Sequence, residues 1–288
     1  MTLLRSVFVA VVLTGLSAGL AAATPDSVRA SSPAGTPVAA SSSSSSVAGP
    51  RTTASGASRD WWFIPKGAHR RPGIPRPAAR LLQRYSGLWI GARHERIVYL
   101  TFDEGWEMGT TKRLIGILEH AHVRASFFLT GQYIRANRGL TRRLAAHGHL
   151  LCSHSWAHAN MAAKARSRGA FRRDLRATER AYHAATGGKL ARFFRPPFGT
   201  YSARSLQLAE QLGYATVFWS FAHYDYDDGA QPPVSVTLRR ILTASCPGAV
   251  YLLHASSHSN MNALAKAIHG LKAQGYGFAT LDELRAKP

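Results

Sequence analysis

The chain has 288 residues, with 36 Lys and Arg against 15 Asp and Glu, a formal charge of +21. Two cysteines are too few for a disulfide framework, and neither Cys152 nor Cys246 stands at metal-site spacing to another cysteine, so each reads as a small buried thiol. The arginines are scattered along helical segments without a base-reading motif, which argues against nucleic acid as a partner and leaves two readings: attraction to an anionic wall polymer, or a solvated basic surface with no dedicated partner.

In chain order, Arg5 precedes an apolar run over residues 7–20, and Ala21, Ala22 and Ala23 stand just before Thr24 and Pro25. These are the parts of a secretory signal peptide at 1–23, and they predict a secreted, periplasmic or cell-wall-associated protein. The run is short for a bilayer span, so membrane contact is expected only through an uncleaved signal. Residues 24–60 are rich in Ser, Ala and Pro, with six consecutive serines at 41–46, and read as a disordered linker. Residues 61–288 are long enough for one domain with a single core, expected to be soluble and monomeric.

The β-rich, almost wholly apolar run at 96–102 predicts a strand buried on both faces. A helix is expected at 111–122, with Leu114, Ile117 and Leu118 on one face, then a strand at 125–130 ended by Gly131. Further helices are expected at 133–147, 170–185, 203–212, 236–245 and 262–274, interleaved with strands at 149–153, 191–194, 214–219, 249–253 and 277–280. Such alternation implies parallel strands joined by helical crossovers. With no dinucleotide fingerprint or P-loop, the expected α/β fold is a closed or nearly closed barrel of about seven parallel strands. Asp103, His154, Arg195 and His254 fall at or just beyond C-terminal strand ends, the face on which such barrels build catalysis.

His154 and His158, four residues apart, can face one another across one helical turn and grip a divalent cation. Asp103 and Glu104 supply adjacent carboxylates, one to ligate the metal and one to take a proton from water. Glu104 alternatively points away, because neighbouring strand residues face opposite ways. Arg195, ahead of Pro196 and Pro197, would hold Asp103 ionised. His254 would donate a proton if Asp225 keeps it charged. The pairs His120/His122 and His147/His149 read as structural or exposed.

At these residues the chain resembles the polysaccharide deacetylase family, also called the NodB-homology or carbohydrate esterase 4 family, over about 96–284. The resemblance rests on Thr101-Phe-Asp-Glu-Gly105, His154-Ser-Trp-Ala-His158, Arg195-Pro-Pro-Phe-Gly199, Asp225 and Leu252-Leu-His254. It implies an α/β fold in the form of a distorted (β/α) barrel of about seven parallel strands, with Asp103 as catalytic base, His154 and His158 as metal ligands with Zn2+ the expected ion, Arg195 orienting the base, and Asp225 tuning His254. Leu252, with Pro197, Gly199 and Tyr226, would contact substrate. The phrases Val217-Phe-Trp-Ser-Phe221 and Leu253-His-Ala-Ser-Ser257 with Asn260 are similar to the branch acting on N-acetylmuramic acid of peptidoglycan, which leads to muramic δ-lactam. The chain departs from the family in three places. Glu104 stands where Asp is usual, Ala222 where the fourth motif often begins with Asp, and Tyr226 where Trp is usual. Rival readings are a glycan-binding domain with a degraded metal site, or a deacetylase of chitin oligomers or acetylxylan.

Overall fold

The computed structural model describes residues 55–227 and 229–286. The signal assigned to 1–23 and most of the linker assigned to 24–60 lie outside the described residues. Arg59 and Asp60, given to that linker on composition, instead pair antiparallel with Tyr201 and Thr200. They belong to the folded unit because this pairing satisfies backbone groups on both segments.

The main sheet is built from β1 (Ile97–Glu104), β2 (Ser126–Leu129), β3 (Leu150–Ser153), β4 (Phe193–Phe194), β5 (Ala215–Thr216), β6 (Ala249–His254) and β7 (Gly277–Phe278). Its seven strands run in the order β5-β4-β3-β2-β1-β6, with β7 also pairing β1, and every pairing is parallel. The sheet curls so that the chain after β5 meets β6 through a parallel bridge of Phe221 to Tyr251, with Leu252 N–H donating to Phe221 O at 2.9 Å. The result is the expected distorted (β/α) barrel of parallel strands. Among the described residues no helix is long and apolar enough to cross a membrane.

Period-two alternation divides each strand between two environments. Val98, Leu100 and Phe102 of β1 pack outward with Phe127, Leu129, Leu151, Tyr251 and Leu253 against helices such as Thr111–His120 and His258–Ala273. Tyr99 faces inward with Phe128, Cys152, Phe193, Val217 and Val250. Asp103 shares parity with Tyr99, and Glu104 with Phe102. That parity decides which of the two carboxylates reaches the barrel mouth.

Two expectations of local structure change. The helix expected at 133–147 is two helices, Gly131–Ala136 and Arg138–Ala146, broken at Asn137 (φ −121°, ψ 49°). The segment from His154 to His158 is a turn rather than a helix, with Ser155 (φ 68°) and His158 (φ 54°) in the left-handed region. Cys152 and Cys246 are free and buried.

Candidate active site

Asp103 ends the inward row of β1 in a pocket of about 570 Å³, whose lining also includes His154, His158, Leu252 and His254. Its carboxylate is 8% exposed, and Oδ1 accepts a 2.7 Å hydrogen bond from Arg195 Nη1. Arg195 follows β4 and is fully buried; its Nε and Nη2 also point at the carbonyls of Val217 and Phe218, and its guanidinium lies 4.1 Å from the Phe128 ring centroid. Burial alone would raise the Asp103 carboxyl. The Arg195 charge, then those of His154 and His254, outweigh it and hold the group below the ordinary carboxylate range.

His154 Nδ1 meets Arg195 O at 2.9 Å, so Nδ1–H donates and Nε2 keeps its lone pair, 3.6 Å from Asp103 Oδ2. Burial lowers its pKa more than Asp103 raises it, leaving a neutral imidazole. Across the turn the His158 ring sits 4.9 Å from that of His154, between Phe198 and Trp106 at 4.5 and 6.3 Å. Burial, with some help from His154, lowers His158 to about 4.

The opposite side of the pocket carries a second acid–imidazole pair. Asp225, 1% exposed, takes His254 Nδ1–H on Oδ1 at 2.7 Å, while Oδ2 accepts His254 N–H at 2.9 Å and Asn260 Nδ2–H at 2.5 Å. Burial disfavours a charged His254, but the hydrogen bond and charge of Asp225 outweigh it and raise the group above its ordinary value. Asp225 is lowered in turn: burial opposes ionisation, and the His254 bond and charge overcome that. Asn260 is locked by His223, whose Nε2 lies 3.0 Å from Asn260 Oδ1.

Glu104 does not join His154 and His158. It is 1% exposed on the helix side of β1, where Oε1 accepts Thr111 Oγ1–H at 3.1 Å in a cluster with Tyr133 and Glu107. Burial, then the charge of Glu107, lifts it well above the ordinary carboxyl range. The expectation of Glu104 as a ligand is corrected by strand parity. Pro197 is also corrected: it is buried beneath the turn, while Pro196 and Phe198 line the pocket. Leu252, Gly199 and Tyr226 line it. Gly199 is required there, because it sits at φ 67° and an added Cβ would stand 2.8 Å from Trp219 Cη2.

Trp106, Met108, Phe198, Trp219 and Ser256 also line it; the sequence assigned none of them a role, although Phe198, Trp219 and Ser256 lie inside quoted motifs. Phe198 lies inside the quoted arginine motif, but its exposure (66%) follows from a φ of 62° that no sequence pattern announces.

A model for polysaccharide deacetylases matches residues 91–217. The chain is 32% identical over 225 residues to the peptidoglycan-N-acetylmuramic acid deacetylase PdaA of Bacillus subtilis (strain 168), covering 78% of this chain and 85% of that protein. The chain belongs to the polysaccharide deacetylase family. The solved structure of Bacillus subtilis PdaA, a family 4 carbohydrate esterase, superposes with a TM-score of 0.77 at 31% identity, covering 80% of this chain and 98% of that one. A family 4 pseudoenzyme from Bacillus anthracis, BA3943, is similar at TM-score 0.62 and 31% identity, covering 68% of this chain and 67% of that one. As a polysaccharide deacetylase, this chain is a hydrolase of the N-acetyl amide bonds of sugars.

The donors at the pocket floor suit a divalent cation of the kind this family uses. His154 presents an unprotonated Nε2, and His158 is neutral with no hydrogen bond recorded to its ring among the described residues. Neutral imidazole is a preferred zinc ligand, and Asp103 adds a nearby carboxylate. No group of three or more His, Cys, Asp or Glu poised to hold a metal occurs among the described residues, in keeping with Glu104 facing away.

Proposed function

We propose that this deacetylase is exported and removes the acetyl group of N-acetylmuramic acid in peptidoglycan, with a divalent cation, zinc first among candidates, between His154 and His158. What supports the chemistry is one arrangement: a carboxylate held below its ordinary range (Asp103) and an imidazole raised above its own (His254) share one pocket. A cation held by the two imidazoles would polarise the amide carbonyl and favour negative charge on its oxygen.

Asp103 takes the proton of the attacking water as the new C–O bond forms at the acetyl carbon. Arg195 keeps that carboxylate ionised until the proton arrives. His254 then gives its Nε2 proton to the nitrogen as the C–N bond breaks, releasing acetate and a free amine. Asp225 holds Nδ1–H, which fixes Nε2 toward the pocket. The aromatic rim of Trp106, Phe198 and Tyr226 offers stacking faces for sugar rings and limits water near the reacting bond.

The muramic choice is supported by the extent of the match to PdaA. The export reading is supported by residues 1–23 alone, and amino-terminal sequencing of protein recovered outside expressing cells tests it. A non-catalytic glycan-binding reading draws support from Glu104 facing away and from the likeness to a pseudoenzyme. The two separate by mass spectrometry of muropeptides, intact and stripped of stem peptides, after incubation with the purified chain and zinc. Loss of one acetyl per muramic acid, abolished by chelation and by His154→Ala, supports the enzyme reading. Acetyl loss from N-acetylglucosamine or chitin oligomers instead moves the substrate assignment, and binding without acetate release supports the rival.

A further inference from the structure

The turn that presents His154 and His158 is costly as local backbone. Ser155 and His158 stand at φ 68° and 54°, a region that residues with a Cβ enter only where their surroundings hold them. The holding bonds are few. His154 N–H donates to Leu129 O at 2.9 Å, while Ser155 O and Trp156 O accept from Gly131 and Gln132 N–H at 3.0 and 2.9 Å. All three are backbone bonds, and they come from β2 and the start of the helix Gly131–Ala136. The Trp156 indole is seated on the same helix, where a Cβ on Gly131 would stand 2.1 Å from Trp156 Cε3.

Trp156 N–H, at the middle of the turn, goes elsewhere. It donates to Asp174 Oδ1 at 2.8 Å, the one bond from a side chain to the backbone of 154–158 among the described residues. Asp174 belongs to the helix Arg168–Thr186 and is 6% exposed. Its Oδ2 accepts from Lys164 Nζ at 2.5 Å, so the buried charge has a cation beside it. Burying a carboxylate costs more than burying an apolar side chain at the same place. What the acid supplies there, and an apolar residue would not, is an acceptor for the amide of the histidine turn.

We propose that Asp174 is a positioning residue for the metal-binding turn. It fixes the Ser155–Trp156 peptide, and with it the 4.9 Å spacing of the two imidazole rings, with Lys164 as its countercharge. Two imidazoles that must converge on one ion are sensitive to rotation of the peptide between them, and this bond opposes that rotation. The inference rests on the reading that a divalent cation sits between His154 and His158, and adds a residue 18 positions along the chain from Trp156 that sets how firmly it is held.

The test is a competition titration of zinc against a chromophoric chelator, which reads binding in the purified chain without acetate release. Asp174→Ala is expected to weaken zinc about 10- to 100-fold, the usual cost of removing the support behind a metal ligand. Phe171→Leu, a buried change on the same helix, should lower the melting temperature while leaving zinc affinity at the parent value. Asp174→Asn should weaken zinc as well, because Lys164 draws the amide oxygen and leaves the NH2 group facing Trp156 N–H. Adding Lys164→Met frees that oxygen for Trp156 and should return affinity toward the parent value, a rescue that a purely structural role does not give. Should Asp174→Ala not fold, the Asn variant and its rescue decide. Parent affinity in folded Asp174→Ala, a loss in Phe171→Leu as large as in Asp174→Ala, or no rescue by Lys164→Met overturns the proposal. His154→Ala and His158→Ala separate the two readings. Where they abolish zinc binding and the Asp174 variants do not weaken it, the positioning role alone falls. Where the parent chain binds no zinc, or these two variants bind it unchanged, the metal reading falls and this role with it.

Discussion

The two sides of the catalytic pocket hold the same pair of residue types in opposite states. On one side Asp103 lies 3.6 Å from His154, and His154 is neutral. On the other, Asp225 lies 2.7 Å from His254, and His254 is raised above its ordinary value. The difference is a direct hydrogen bond. Asp103 still raises His154 but stands too far to hydrogen-bond it and accepts from Arg195 instead, so burial prevails there. Asp225 has Asn260 and His254 as direct hydrogen-bond donors, and the imidazole supplies its positive partner. One arrangement favours an ionised carboxylate beside neutral imidazoles, the other an imidazole that holds its proton more firmly. Separating two titratable pairs in this way is how one pocket runs acid and base chemistry at one pH.

The largest break in this contrast should come from its charged members. Asp103→Asn and His254→Ala are each expected to lower kcat about 10²- to 10⁴-fold with the fold retained, measured as acetate release beside a melting curve. Full turnover in either folded variant removes that residue from the mechanism. Arg195→Met strands the buried Asp103 charge and should cost about 3–5 kcal/mol of stability by denaturant titration. A loss below about 1 kcal/mol, the range of an exposed pair, would show that Arg195 is not the buried partner described.

Asp225→Asn acts more gently, through pH. Because Asp225 raises His254, the acid form persists above the ordinary imidazole range, and kcat/KM falls as pH rises through that raised value. Without the charge, this alkaline limb should move down by about 1–3 pH units. An unmoved limb would detach His254 from the profile. The stability of the pair has matching signs: the His254 share is present at low pH and lost as pH rises through its raised value. The Asp225 share is present at higher pH and lost as pH falls through its lowered value. Asn260→Ala, the smallest change, leaves Asp225 Oδ2 with one donor fewer and should cost about 1–3 kcal/mol of stability, with a lesser shift of the same limb. A larger limb shift than in Asp225→Asn would reverse the order of control.

Much of this was legible in the chain. Short apolar, β-rich runs marked the seven strands and period-3.6 patterning most crossover helices, because burial on both faces of a sheet or on one face of a helix leaves a trace that local sequence must carry. The short helices Met161–Lys164 and Leu281–Ala286 escaped, being too brief to show a clear period, and the lead-in helix Arg76–Arg84 escaped although it is amphipathic, with Ala78 and Leu82 buried on one face. The bond of Arg195 to Asp103, 92 residues apart, was anticipated through motif resemblance rather than spacing.

By itself, then, the sequence determined the alternating strands, the strand-end placement of Asp103, His154, Arg195 and His254, and the family they belong to. Hydrophobic periodicity and short motifs are local properties, and a linear chain records them. Tertiary structure alone decided the rest. It turned Glu104 toward Thr111, exposed Phe198 through a left-handed backbone, and lowered His154 while raising His254. These outcomes depend on the direction of a side chain across a sheet and on how much water and countercharge surround it. Residues far apart in the chain set both.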